Sequence, residues 1–201
     1  MSVGGIILAA GQGARMGRPK QLAPLEGRSL LQHVIDAAVA APLDGIVVVL
    51  GHASDEVAAA LTLPAGVSIV VNPLHDQGQS TSLRTGLAAM PDRVGAAAIL
   101  LGDQPEVRLD AIGAVVAAQA RSAAPILRAA YGGRAGHPVV LARAVWEEAA
   151  AQRGDSGARA LMAAYAGRVE LVEVGGEAPQ DIDTPDDLER LRRRRATRRA
   201  G

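Results

Sequence analysis

The sequence predicts an α/β fold with a mostly parallel central sheet and helices on both faces of that sheet. Short apolar segments, typical of buried strands, alternate along the chain with segments whose apolar residues recur at helical spacing. The strand segments are apolar on both faces, as expected for a parallel sheet that helices cover on each side. Polar or glycine-containing segments follow several strands, and ligands of such sheets bind just beyond the carboxyl ends of the strands.

Each element is predicted from a local pattern. Residues 3–8 form an apolar run before a glycine-containing loop, which is typical of a buried strand. Ser29 is expected to cap a helix over 30–40, whose apolar residues share one face and which Pro42 ends. The other predicted strands are 45–50, 67–71, 96–101, 126–131, 136–141 and 168–174. The other predicted helices cover 54–61, a segment that ends near 90, 110–122 and 142–151, with two more that begin after 154 and 184.

The composition limits the classes of function. The 201 residues fit one domain, and 49% apolar residues are enough for a sizeable core. The absence of cysteine excludes disulfides and thiolate metal sites. Because the net charge is zero and 1% of the residues are aromatic, a nucleic-acid partner is not expected. No apolar run has membrane-spanning length and no signal peptide opens the chain, so we expect a cytoplasmic protein without a membrane partner.

Residues 190–199 contain seven arginines in ten positions. A block of like charge at a chain end typically belongs to a frayed helix end or a disordered tail. We therefore expect one domain over 1–190 and a disordered, arginine-rich tail over 191–201. Binding of a nucleic acid or an acidic partner by this tail is the less favoured alternative.

The segment 8–20 has the composition of a phosphate-binding loop. Gly11 and Gly13 let the backbone approach an anion closely, and successive N–H groups in such a loop form an anion-binding concavity. Arg15 and Lys20 add positive charge. The P-loop pattern is absent and the dinucleotide fingerprint is missed by one residue. An ordinary strand–loop–helix turn with solvated cations is therefore the alternative.

Residues 8–20 read Leu-Ala-Ala-Gly-x-x-x-Arg-Met-Gly-x-Pro-Lys, which resembles the signature of the molybdenum cofactor nucleotidyltransferases. The segment is most similar to the cytidylyltransferase branch, because Ala10 and Pro19 stand where the guanylyltransferase branch more often has glycine and aspartate. The resemblance implies a three-layer, Rossmann-like nucleotidyltransferase fold. It also implies nucleotide contacts from Leu8, Ala9, Ala10, Gly11, Gly13, Arg15 and Lys20.

A second polar segment, 78–87, begins Gly-Gln-Ser-Thr-Ser-Leu. Its simplest interpretation is a helix start capped by Ser80 or Ser82. Alternatively, free N–H groups and hydroxyls at a helix N-terminus contact a base or a phosphate. The resemblance favours the second interpretation and implies that Gly78, Ser80 and Ser82, with Asn72, surround the pyrimidine.

Carboxylates at two places suggest a magnesium site. Asp103 directly follows an apolar strand, and Mg²⁺ prefers one or two carboxylates together with phosphate oxygens and water. A turn-forming aspartate is the alternative. Thr184 and Pro185 are expected to start the last helix, which leaves Asp181 and Asp183 unexplained. The resemblance covers Gly-Asp-x-Pro and Asp-x-Asp-Thr-Pro, and it implies metal ligands at Asp103 and Asp183, with Asp183 preferred over Asp181.

Four further residues are assigned to the acceptor substrate by the resemblance. Gln104 adjoins the metal-binding element, and His137 belongs to a Gly-His-Pro-Val run. Asp155 and Arg159 belong to a Gly-Asp-x-Gly-Ala-Arg segment. Without the resemblance, His137 would be read as a polar surface residue and Asp155 as a helix cap.

The resemblance implies Mg²⁺-dependent transfer of CMP from CTP to the terminal phosphate of molybdopterin. Arg15, Lys20 and Asp103 are then the catalytic residues, and a client molybdoenzyme is expected as a transient partner. The first alternative is the same chemistry with GTP or another phosphorylated acceptor. The second is a non-catalytic protein that delivers the finished cofactor, which would need no metal-binding carboxylates.

Overall fold

The computed structural model describes residues 2–154 and 157–200. The strands are β1 (Val3–Ala9), β2 (Pro24–Leu25), β3 (Arg28–Ser29), β4 (Ile46–Leu50), β5 (Val67–Val71), β6 (Ala96–Leu101), β7 (Ile126–Tyr131), β8 (Arg134–Ala142) and β9 (Val169–Glu173). The α-helices are α1 (Leu30–Ala40), α2 (Ser54–Ala59), α3 (Gln79–Ala89), α4 (Leu109–Gln119), α5 (Trp146–Ala151), α6 (Gly157–Ala164) and α7 (Pro185–Ala200). Within the described ranges, no helix combines the length and the apolar character needed to cross a membrane.

Seven of the strands form one sheet in the order β5-β4-β1-β6-β8-β7-β9. The pairs β5–β4, β4–β1, β1–β6 and β7–β9 are parallel, and only β8 runs antiparallel to its neighbours. The short strands β2 and β3 form a separate hairpin. The mostly parallel sheet predicted from the apolar runs is confirmed.

Helices cover both faces of this sheet, which makes the three layers that were predicted. On one face, Ile7 and Val48 pack with Leu31 of α1 and Ile112 of α4. On the other face, Ile6 and Val49 pack with α3, and Trp146 and Leu161 bring α5 and α6 into the same cluster. Adjacent residues of β1 therefore belong to opposite layers, as the alternation of side chains along a strand requires.

The two helices that flank the first strands begin in different ways. Ser29 caps α1 as predicted, because its hydroxyl accepts a hydrogen bond from the backbone N–H of Gln32 at 3.2 Å. The expectation that Ser80 or Ser82 caps the next long helix is wrong. That helix, α3, already begins at Gln79, and its N-cap is Gly78 with a φ of 105°, a conformation that residues with a Cβ rarely adopt.

The expected boundary at residue 190 and the expected disordered tail are corrected by α7, which continues to Ala200. Leu191 is fully buried and packs with Leu25 of the β2–β3 hairpin. Arg194 is 2.7 Å from Glu106, and Arg195 is 2.8 Å from Glu26. Local composition could not reveal these carboxylate partners, because they come from distant parts of the chain.

Gly86 marks the closest approach of α3 to the sheet. A Cβ at this position would lie 2.6 Å from Cγ2 of Ile6, whereas a Cβ at Gly113 in α4 would meet nothing within 4 Å. We expect Gly86→Ala to lower the free energy of unfolding by about 1–3 kcal/mol through overpacking. Gly113→Ala is the matched control, and we expect it to raise that free energy by about 0.5–1 kcal/mol. Urea denaturation measures both, and equal effects of the two substitutions would contradict the close approach.

Candidate active site

A cleft lies at the carboxyl ends of the neighbouring strands β1 and β6. In the sheet, Leu8 of β1 pairs with Leu101 of β6, so the segments that follow the two strands meet at one edge of the sheet. Together with residues 75–82, which follow β5, these segments enclose about 380 Å³. The lining residues are Leu8, Ala9, Ala10, Gly11, Gln12, Lys20, Gln21, His75, Asp76, Gly78, Gln79, Ser82, Leu101, Gly102 and Asp103.

Lys20 lies between two carboxylates at this edge. Its Nζ is 2.5 Å from Oδ2 of Asp103 and 2.8 Å from Oδ1 of Asp183. Arg15 is more loosely placed, with its guanidinium 3.7 Å from Oδ2 of Asp183 and its side chain 72% exposed. Residues that are distant in the sequence are thus brought together around one cation, and we refer to Lys20, Asp103 and Asp183 as the charge cluster.

Burial and charge act in opposite directions on the cluster. Burial raises the pKa of the Asp103 carboxyl, which the Lys20 ammonium opposes and the Asp181 and Asp183 carboxylates reinforce. Burial alone would lower the pKa of Lys20, but its contacts with Asp103 and Asp183 outweigh that effect and raise it. Lys20 therefore stays protonated and remains a positive charge in the cleft at neutral pH.

The segment before α7 delivers Asp183 to the cluster. The backbone N–H of Ile182 donates to the carbonyl of Asp103 at 3.0 Å, which fixes the segment beside the end of β6. Thr184 caps α7 as predicted: its Oγ1 accepts from the N–H of Asp187 at 3.2 Å, and Oδ2 of Asp187 accepts from the N–H of Thr184 at 2.8 Å. This reciprocal capping orients the chain at the residue next to Asp183.

The phosphate-binding loop predicted after β1 is held by a buried glutamine. The Gln21 side chain is 2% exposed, and its Nε2 donates to the carbonyls of Ala9 at 2.7 Å and Gly11 at 2.8 Å. Gly13 has a φ of 60°, and a Cβ there would lie 2.9 Å from the backbone nitrogen of Lys20. The loop therefore folds back closely against Lys20, which a larger residue at position 13 would prevent.

The residues expected around the base are only partly brought together. Gly78 and Ser82 line the cleft. Asn72 does not, since it is 1% exposed and its Nδ2 donates to Thr81 Oγ1 at 2.8 Å and to Ser82 Oγ at 3.0 Å. Asn72 thus positions the first turn of α3, while Ser80 lines a different pocket.

That second pocket adjoins the cleft and is mostly apolar. It encloses about 300 Å³ and shares Leu8, Gln79 and Leu101 with the cleft. Its remaining lining residues are Ser80, Leu83, Ile99, Arg128, His137, Val139, Leu141, Gln152, Leu161 and Met162. We refer to it as the apolar pocket.

The residues expected to bind the acceptor are found in different environments. His137 lines the apolar pocket, where burial lowers its pKa to about 4, so its imidazole is neutral at pH 7. Gln104 is buried away from both cavities, and its Nε2 donates to Oδ1 of Asp181 at 2.8 Å. Asp155 lies outside the described residues, as does the side chain of Arg159.

Sequence reasoning missed three kinds of residue in this region. Gln21 carries no local signal, because a polar residue after a loop is unremarkable until both of its carbonyl partners are located. His75 and Asp76 line the cleft from a 3₁₀ turn before α3. Arg128 could have been noticed, since it interrupts the apolar run Ile-Leu-Arg-Ala-Ala-Tyr of a predicted strand.

We expect the two hydrogen bonds donated by Gln21 to contribute to the stability of the fold. We expect Gln21→Leu to lower the free energy of unfolding by about 1–3 kcal/mol, because the carbonyls of Ala9 and Gly11 would lose their buried donor. Gln77→Leu replaces an exposed glutamine and serves as the control. Denaturation by urea measures both effects. If the Gln21 variant were as stable as the control, the glutamine would not be what holds the loop.

Comparison with known proteins identifies the family to which this chain is similar. Residues 5–169 match the model of the MobA-like NTP transferase domain. Nicotine blue oxidoreductase of Paenarthrobacter nicotinovorans is 31% identical over 199 residues, covering 94% of this chain and 96% of that protein. Purine catabolism protein PucB of Bacillus subtilis (strain 168) is 32% identical over 200 residues, covering 94% and 95%.

A solved structure extends the comparison to three dimensions. Rv0371c from Mycobacterium tuberculosis H37Rv has a TM-score of 0.87 and 34% identity, covering 96% of this chain and 98% of that one. Its complex with manganese has a TM-score of 0.80 and 33% identity, covering 96% and 99%. The likeness to these proteins extends over nearly the whole chain. The chain therefore belongs to the MobA-like NTP transferases, a family of nucleotidyltransferases.

Proposed function

We propose that this protein transfers CMP from CTP to the terminal phosphate of molybdopterin in a reaction that depends on Mg²⁺. The observation that carries this proposal is the convergence of Asp103 and Asp183 on the ammonium group of Lys20, at the rim of a polar cleft of nucleotide size. Two carboxylates and a cation beside a glycine-containing loop are the groups that a metal-bound triphosphate requires. A protein that only carried a finished cofactor would have no use for them.

The residues of the charge cluster fit a divalent cation. Oδ1 of Asp103 is buried and has no hydrogen-bond partner among the described residues, so it is available as a ligand. Asp183 is partly exposed, and its carboxylate contacts the same Lys20 Nζ that Asp103 contacts. Two carboxylates are sufficient for Mg²⁺, which takes few protein ligands and completes its shell with phosphate oxygens and water.

Support for a divalent metal also comes from the manganese complex of Rv0371c. When bound, the ion would supply charge neutralisation at the phosphates. Asp103 and Asp183 would hold it, and Lys20 and Arg15 would add positive charge around the same phosphates. Mg²⁺ rather than Mn²⁺ is proposed from the resemblance of the Gly-Asp-x-Pro and Asp-x-Asp-Thr-Pro elements.

The chemistry is a single displacement at phosphorus. An oxygen of the acceptor phosphate attacks the α-phosphorus of CTP, the bond from that phosphorus to the bridging oxygen of the β-phosphate breaks, and pyrophosphate leaves with the electron pair. The loop held by Gln21 orients the triphosphate, and the cations stabilise charge on the departing pyrophosphate. No side chain needs to form a covalent intermediate.

The choice of CTP and of molybdopterin rests on the sequence resemblance. Ala10 and Pro19 match the cytidylyltransferase pattern, and Ala10 lines the cleft. Gly78 and Ser82 line the same cleft, and we assign them to the base. An acceptor would occupy the adjoining apolar pocket, which contacts the cleft through Leu8 and Leu101.

The reaction is tested with purified protein, Mg²⁺ and molybdopterin, to which CTP or GTP is added in parallel while pyrophosphate release is followed. We expect release with CTP only. Release with GTP only would refute the base assignment. If neither nucleotide reacted although CTP with Mg²⁺ still bound, molybdopterin would be the wrong acceptor. Absence of both release and binding would favour a delivery protein.

Asp103→Asn tests the charge cluster directly. We expect the rate of pyrophosphate release to fall by more than about 100-fold, since even outer-shell partners of metal ligands cost about 10- to 100-fold. The backbone hydrogen bond from Ile182 to residue 103 is retained, so the fold should persist, as circular dichroism can verify. Asp186→Asn, at an exposed position in the first turn of α7, is the control. An Asp103→Asn enzyme with the wild-type rate in Mg²⁺ would remove this residue from the metal site.

A further inference from the structure

Arg128 occupies a position on β7 that should be apolar. Along this strand, Leu127, Ala129 and Tyr131 pack into the core on one face of the sheet. Arg128 lies on the other face with Ile126, which packs against the helices α3, α5 and α6. The pairing of β7 with β8 shifts register between Arg128 and Ala130, and such irregularities re-aim side chains next to functional sites.

Among the side chains that the structure describes, no carboxylate pairs with the guanidinium of Arg128. Its Nε is buried, without a hydrogen bond to any described residue. Burial lowers the pKa of Arg128, and burial is the only cause of that shift. Arg128 is half-buried, so its guanidinium is partly desolvated and is available to an anionic ligand.

The surroundings of Arg128 define what that ligand resembles. The apolar pocket is lined mainly by aliphatic side chains, among them Ile99, Val139 and Met162. His137 lines the same pocket, where burial, aided by the nearby Arg128 charge, lowers its pKa. Its imidazole is therefore neutral at pH 7 and does not compensate the charge of Arg128. A mostly apolar cavity of about 300 Å³ with the Arg128 guanidinium among its described lining residues is suited to a flat ring that carries an anionic group.

We propose that Arg128 is a specificity-determining residue of the acceptor subsite, where it binds an anionic group, carboxylate or phosphate, on an acceptor whose flat ring lies in the apolar pocket. The pocket shares the lining residues Leu8, Gln79 and Leu101 with the cleft, so a molecule bound in the pocket would lie beside a nucleotide bound in the cleft. Assigning this site to the acceptor rests on the proposed function. The recognition of an anionic ring compound rests only on the geometry of Arg128 and its pocket.

Binding of simple ring compounds tests the recognition without assuming the reaction. The full-length protein is titrated with 2-naphthoate, 2-naphthyl phosphate and neutral 2-naphthamide, and quenching of naphthyl fluorescence is followed. We expect at least one anionic compound to bind about tenfold or more tighter than the amide, as a charge-assisted hydrogen bond in a desolvated site provides. The two anionic compounds distinguish a carboxylate from a phosphate site. Equal affinities for all three compounds would overturn the proposal.

Variants of Arg128 separate ligand binding from a structural role. Arg128→Met should abolish the preference for anions and raise the melting temperature, because it removes an uncompensated charge from an apolar wall. Arg128→Lys should keep part of the preference. Arg121→Met changes an exposed arginine after α4 and should alter neither property. A lower melting temperature for Arg128→Met, or a preference that survives in that variant, would show that Arg128 is structural.

The two proposals fail in distinguishable ways. If molybdopterin and CTP give no pyrophosphate but the naphthyl anions bind through Arg128, the proposed acceptor is wrong and the anion site stands. If pyrophosphate is released at the same rate and with the same KM for molybdopterin by the wild type and by Arg128→Met, the proposed function stands and the role of Arg128 is refuted. We expect a raised KM in this variant, with CTP binding unchanged.

Discussion

The contact of one ammonium group with two carboxylates connects three parts of this protein that lie far apart in the sequence. Lys20 is separated by 83 residues from Asp103 and by 163 from Asp183, yet all three side chains meet within hydrogen-bonding distance. Removing such charges from water is costly, and the cluster is tolerated because each charge faces an opposite one. The cluster places two carboxyl groups beside one ammonium group. A metal ion that binds there would bring further positive charge to a bound triphosphate.

The end of the chain is part of this arrangement. Asp183 belongs to the segment that leads into α7, and α7 is anchored through Leu191 in a small core with Leu25. Arg194 then pairs with Glu106, which lies beyond the end of β6, and Arg195 pairs with Glu26, which lies near the start of the chain. These ion pairs thus hold α7 close to the segments that carry Lys20 and Asp103. A disordered tail would leave Asp183 without this support.

Two adjoining cavities differ in the chemical character of their lining. The cleft beyond β1 and β6 is lined by polar groups and glycines, which suits phosphates, whereas the apolar pocket over β7 and β8 suits a ring. The reversed strand β8 makes this division possible, because it carries Val139 and Leu141 into the sheet beside β6. A group-transfer enzyme must hold two substrates side by side, and binding them in neighbouring sites provides much of its catalytic effect.

The sequence by itself determined the fold class, the strand and helix pattern and the loop after β1, since all of these depend on neighbouring residues and their spacing. The sequence also singled out Lys20 as a cation of the loop after β1 and Asp103 as a carboxylate at a strand end, whereas Asp183 was preferred over Asp181 through the family resemblance. Only the tertiary structure decided that these three meet, that Asn72 is buried beneath α3, and that Gln21 holds the loop. The tertiary structure also showed that Arg128 faces an apolar pocket and that the arginine-rich end is an ordered helix. The physical reason is the same in each case: the partners of these side chains lie far away in the chain, and composition carries no information about contacts that only the order of strands in a sheet creates.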